Sequence, residues 1–89
     1  MKAKTGFTLR PLGREFILTA DNIQQVNFNK MISLNESAAF LWRSVQGMTF
    51  TADTLADLLV GQYGIDRERA LADSENIMGK WKEAEIVEE

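Results

Sequence analysis

The sequence contains no histidine and no cysteine in 89 residues. Lack of cysteine excludes disulfide staples and thiolate zinc sites. Lack of histidine removes the commonest general base, the commonest metal ligand and every Ser-His or Cys-His pair. Proline occurs once, at Pro11, and no linker, repeat or low-complexity segment interrupts the chain. Long apolar runs are missing too. The longest, Ala38–Trp42, is far shorter than the ~18 residues of a membrane span, and no signal-peptide pattern is visible. No membrane association and a cytoplasmic address are therefore expected.

Hydrophobic residues make up 45% of the chain and charged residues 26%. That mixture builds one small core without a metal, so a single domain over residues 1–89 is expected. Charge is uneven. Residues 1–34 carry five basic and two acidic side chains, and residues 35–89 carry five basic and eleven acidic ones. Nucleic-acid binding calls for clustered Lys and Arg, which the acidic second half lacks.

Catalytic patterns are equally sparse. There is no Gly-rich phosphate loop and no cluster with metal-ligand spacing. Ser33, Ser37, Ser44 and Ser74 have no histidine to activate them. Asp73 and Glu75 are two apart on a predicted helix, so they point to different sides. No catalytic residue, no metal and no cofactor are expected, and the chain reads as a non-enzyme.

The first third reads as strands. Phe7-Thr-Leu-Arg10 alternates, Phe16–Ala20 is short and β-prone, and Pro11–Arg14 reads as the turn between them, with Gly13 free to take positive φ. Val26–Leu34 alternates imperfectly, with Ile32 and Leu34 on one face and Met31 and Ser33 on the other. A three-stranded antiparallel meander results, marginal alone and in need of a helical layer.

Helices fill the remainder. Asn35 is a good N-cap, with Ser33 and Glu36 as an alternative capping box. Ala38, Leu41, Trp42 and Val45 then share one helical face, and Gly47 is a natural stop. Thr51 caps a second helix whose apolar face is Ala52, Leu55, Ala56, Leu59 and Tyr63, and Gly64 ends it. Asp66 starts a third helix of roughly 18 residues to about Ala84. The three form a helix-turn-helix-like triad.

Two features point to a binding surface. On the third helix, Ala70, Ser74, Ile77, Trp81 and Ala84 form a core stripe. Leu71 and Met78 lie about 90° around from it at ~100° per residue, flanked by Glu75 and Lys82. This second stripe is either part of a wide apolar arc or the wall of an open groove, where methionine would suit varied ligand side chains. In the meander, strand 26–34 presents an edge. An extended peptide could add there through the backbone of Phe28, Asn29, Lys30, Met31, Ile32 and Ser33. An unused edge could equally pair with a second copy, so a homodimer is one expected arrangement.

The segments "LNESAAFLWRSVQG", "TADTLADLLVGQYGID" and "ALADSENIMGKWKEAEIVEE" resemble the PqqD-like family, that of the pyrroloquinoline quinone biosynthesis protein D. The matching pattern is Leu34-Asn35-Glu36-Ser37-Ala38-Ala39 with Trp42, then Gly47, then a Thr-capped helix ending Tyr63-Gly64, then Asp66. It covers about residues 30–88. Many relatives carry a glycine near the end where this chain has Glu85. The resemblance implies a RiPP recognition element: an α+β fold, a three-stranded antiparallel meander packed on a three-helix winged-helix-like bundle, with strands over about 6–34 and helices over about 35–84. It further implies a non-catalytic adaptor. Such a domain binds the leader of a ribosomally made precursor peptide between the third strand and third helix. It presents that peptide to a modifying enzyme, commonly a radical S-adenosylmethionine enzyme. On that reading the strand edge 28–33 pairs with the peptide, Leu71 and Met78 give pockets, and Glu75 and Lys82 select charge. Two alternatives stay open: a winged-helix DNA-binding domain, and a peptide-binding domain with an unrelated partner. The acidic third helix opposes the first.

Overall fold

The structure is a computed structural model, and it describes residues 1–20, with Ala20 as backbone alone, and 32–88. Strand β1 is Lys2–Ala3, β2 is Phe7–Leu12, β3 is Glu15–Ala20 and β4 is Ile32–Leu34. Helix α1 runs Glu36–Ser44, α2 runs Ala52–Tyr63, α3 runs Arg67–Glu83, and β5 is Val87–Glu88. The fold is α+β, as expected: an antiparallel sheet in the order β2-β3-β4 against three helices.

Local chemistry accounts for most boundaries. The β2–β3 turn is tighter than the Pro11–Arg14 loop expected from sequence. Pro11 and Leu12 stay in the ladder, opposite Phe16 and Glu15, and only Gly13 and Arg14 bend the chain. Gly13 has φ 63°, which a Cβ would resist. Asn35 caps α1: its side-chain oxygen accepts the Ala38 N–H at 2.9 Å. That bond settles the cap in favour of Asn35 over Ser33. Thr51 and Thr54 form a reciprocal capping box on α2, and Gly64 ends it in the left-handed region at φ 65°. Asp66 takes the N-cap position of α3 but makes no side-chain cap bond.

The predicted core stripes pack together. Leu18, Leu34, Leu41, Trp42, Val45, Leu55, Leu59, Ala70, Trp81 and Ile86 are all buried in one cluster. Trp42 sits at its centre, edge-to-face with Trp81 at 5.3 Å and with Phe7 at 6.3 Å. Trp81 continues the chain of rings to Phe50 at 6.1 Å. Ser74 is the one polar residue among the fully buried side chains described, and its hydroxyl donates to the Ala70 carbonyl at 2.7 Å. Tyr63 departs from the sequence reading: it is 40% exposed instead of facing the core.

A second, two-stranded sheet was not expected. β1 pairs antiparallel with β5, Lys2 opposite Glu88 and Ala3 opposite Val87. The chain reaches β5 through a Schellman turn at the end of α3. The Ile86 N–H donates to the Trp81 carbonyl and the Glu85 N–H to the Lys82 carbonyl. Glu85 has φ 61°, the left-handed conformation.

Candidate functional site

In the three-stranded sheet β4 pairs with β3, and among the described residues its other side is an edge. The opposite edge strand, β2, carries Pro11, which has no N–H to offer. Between β4 and α3 lies a groove of about 260 Å³. Leu34, Ala38 and Trp81 are its buried floor, and the half-buried Ile32 and Ile77 face it from strand and helix. Its rim is polar: Glu15, Ser33, Asn35 and Lys80. Register explains the strand side. Ile32 and Leu34 stand opposite Leu18 and Phe16 and face the helices, whereas Ser33 turns outward.

A larger cavity of about 410 Å³ adjoins the groove and shares Asn35, Ile77 and Lys80 with it. It opens between the start of α1, the end of α2 and the outer side of α3, which contributes Arg69, Asp73 and Asn76. Arg69 is taken up by Asp73, at 3.9 Å one turn along the same helix. Arg67, the first residue of α3, reaches back to Asp57 and Asp53 on α2 and braces the two helices. Hydrogen bonding to Asp57 is the main cause that raises the Arg67 pKa.

The sequence-predicted residues fall into three groups. Phe28, Asn29, Lys30 and Met31 lie outside the described residues. Ile32 and Ser33 line the groove. Leu71, Glu75, Met78 and Lys82 line neither cavity. Leu71 and Met78 pack half-buried against the core cluster, and Glu75 and Lys82 are exposed beside them. Geometry is the reason. At ~100° per residue, Met78 and Lys80 stand about 160° apart around α3, and it is the Lys80 side that faces β4. Ile77 and Lys80, which face the groove, and Asn76, which lines the larger cavity, were missed as site residues because a mostly polar helix face reads as solvated surface. Ile77 had been placed in the core stripe, and it lies at the border of both roles.

Among the described residues no group of acidic side chains is arranged to hold a metal, and no helix is long and apolar enough to cross a membrane. What the arrangement offers is a strand edge, a small apolar floor and a polar rim, the elements of peptide capture by strand addition.

The profile of the Coenzyme PQQ synthesis protein D (PqqD) family matches residues 13–87. The chain belongs to the PqqD family. Its fold is also that of a solved structure of TbiB1 in complex with the TbiA(beta) leader peptide. The two share 15% sequence identity and a TM-score of 0.73, over 99% of this PqqD-family chain and 95% of the other. Among curated proteins nothing matches the chain.

Proposed function

We propose that this PqqD-family protein is a non-catalytic adaptor that binds the leader of a ribosomally made precursor peptide. It would present that leader to a separate modifying enzyme, of the radical S-adenosylmethionine class common in the family, and would do so in the cytoplasm. The observation that carries the reading is the groove beside the β4 edge. The family match and the leader-bound relative of the same fold support it. The leader would extend the sheet as a further strand along β4, with Phe28–Ser33 as the pairing segment. Its side chains would alternate between solvent and the Ile32–Ile77 groove. Leu71 and Met78, turned from this groove, would instead hold α3 to the core or meet the enzyme. A second copy on the same edge would compete with the leader. Duplex DNA is disfavoured as a partner, because residues 66–89 carry four basic and eight acidic side chains.

The test takes the tightest binder from a library of blocked 12-residue synthetic peptides and titrates it, labelled, into the wild type, Ile32→Pro and Ser33→Pro, each with a thermal melt. In an antiparallel ladder neighbouring residues point their N–H groups to opposite sides. One proline should therefore break the β3–β4 ladder and lower the melt. The other should leave the melt nearly intact and abolish binding. Undiminished binding by both folded variants excludes strand addition at β4.

A further inference from the structure

The larger cavity has no part in strand addition, yet it is continuous with the groove. Asn35, Ile77 and Lys80 belong to both, so the two form one trough that passes the start of α1. We propose that the larger cavity is a second recognition subsite for the same bound peptide, taking an acidic side chain at Lys80 and a large apolar or aromatic side chain beyond it. The inference rests on the peptide-binding reading above and adds a sequence specificity to it.

Size and lining come first. At about 410 Å³ the cavity exceeds the groove and falls within the roughly 300–1,000 Å³ typical of ligand pockets. Leu59 is 2% exposed at its base, and Ile65 and Ile77 are half-buried around it. Tyr63 stands at the side, 40% exposed, its ring held edge-to-face against Phe40 at 6.0 Å. Leu12, Met48 and Tyr63 are the exposed large hydrophobics among the described residues, and of these Tyr63 lines a cavity. An aromatic ring already oriented by a neighbour is a low-entropy surface for an apolar side chain.

Charge gives the second half. Of the two cations on the lining, Arg69 is paired with Asp73. Lys80 forms no ion pair among the described residues, and it sits where groove and cavity meet. An acidic side chain arriving there would complement a cation that no described residue pairs, on a chain whose net charge is −3. The order along the peptide follows. The strand-pairing segment comes on one side of the acidic residue and the apolar anchor on the other. The anchor should follow within a few positions at ~3.3 Å per extended residue.

A positional-scanning library of blocked 12-residue synthetic peptides, bound to the full chain, tests this. The expected profile favours Asp or Glu at one position and Phe, Tyr, Trp, Leu or Met within about four positions of it. Lys80→Glu should convert the acidic preference to Lys or Arg and weaken the best acidic peptide about ten-fold. That is the scale of one exposed ion pair lost and one like-charge repulsion gained. Lys80→Gln should erase the acidic preference without reversing it, and Tyr63→Ala should flatten the apolar preference alone. Melts confirm that each variant is folded. Peptide binding with no acidic preference, or a profile unchanged in the folded Lys80 variants, overturns the second subsite and leaves the strand-addition reading standing. If no peptide in the library binds the wild type, both readings fall together.

Discussion

Trp42→Ala should remove a large part of the stability of this domain. Trp42 is 3% exposed, at the centre of the core, with Phe7 on one side and Trp81 on the other. Deleting a buried large aromatic costs about 3–5 kcal/mol, because transfer free energy is lost and a cavity remains. Each edge-to-face partner contributes ~0.5–1.5 kcal/mol of coupling within that total. At ~0.05–0.15 kcal/mol per residue, the whole chain has about 4–13 kcal/mol to lose. One kcal/mol moves the melting temperature of a domain this size by about 4–8 °C, so the expected drop is at least ~12 °C. At the lower end of the stability range the variant is unfolded at room temperature. Far-UV circular dichroism reads the melt, and near-UV dichroism reads the coupled Trp42–Trp81 pair. Trp42→Phe, which keeps most of the apolar volume, should lose clearly less. A double-mutant cycle with Trp81→Phe should return a coupling of ~0.5–1.5 kcal/mol. A Trp42→Ala melt within ~5 °C of wild type, with near-UV signal retained, would refute the placement of this ring in the core.

Asn35→Ala should cost ~1 kcal/mol by removing the cap of α1 and should also weaken peptide binding, since Asn35 lines both cavities. Thr51→Ala, at the cap of α2, should cost a similar amount in a melt with affinity unchanged. Leu71→Asp and Met78→Asp should each lower stability by about 1–3 kcal/mol, because each places a charge against the core cluster. In an isothermal titration well below the melts, peptide affinity should stay near wild type; a ten-fold loss with intact melts would return these residues to the binding surface.

The helical half of the fold was legible because its boundaries are made by local chemistry. Asn35, Thr51 and Gly64 each act within four residues of themselves, and the 3.6-residue rhythm of Ala38, Leu41, Trp42 and Val45 has a single solution. The β1–β5 sheet was not legible. It joins Lys2–Ala3 to Val87–Glu88, two residues on each side, too short to show alternation and separated by nearly the whole chain. The strand side of the candidate site could be anticipated from the Ile32-Ser33-Leu34 alternation. The helix side could not. Sequence shows how many apolar stripes α3 carries, but the side that meets β4 is fixed by the packing of α3 on α1 and α2. Leu71 and Met78, the stripe that looked unclaimed, are partly claimed by the core. The turn at Glu85 was not legible, because no glycine marks the position that the structure places at positive φ.

The same ring system ties the groove to the core. Trp81 is 1% exposed, yet it contributes to the floor of the groove from the helix side. Its position is set by Trp42 on one side and Phe50 on the other, and its carbonyl accepts the Schellman bond from Ile86. Ile77 and Lys80 lie one turn or less from Trp81 on the same helix, so the groove wall inherits its placement from the aromatic stack. β4 is held in the same way. Leu34 is buried one residue before the Asn35 cap, so strand edge and helix start are fixed together. A peptide added along Ile32–Leu34, as proposed, would therefore meet a wall and a floor anchored in the core. Substitutions in the rings should then loosen peptide binding even where the domain still folds. Substitutions at the exposed Lys80 should change which peptide binds and leave the fold as it is.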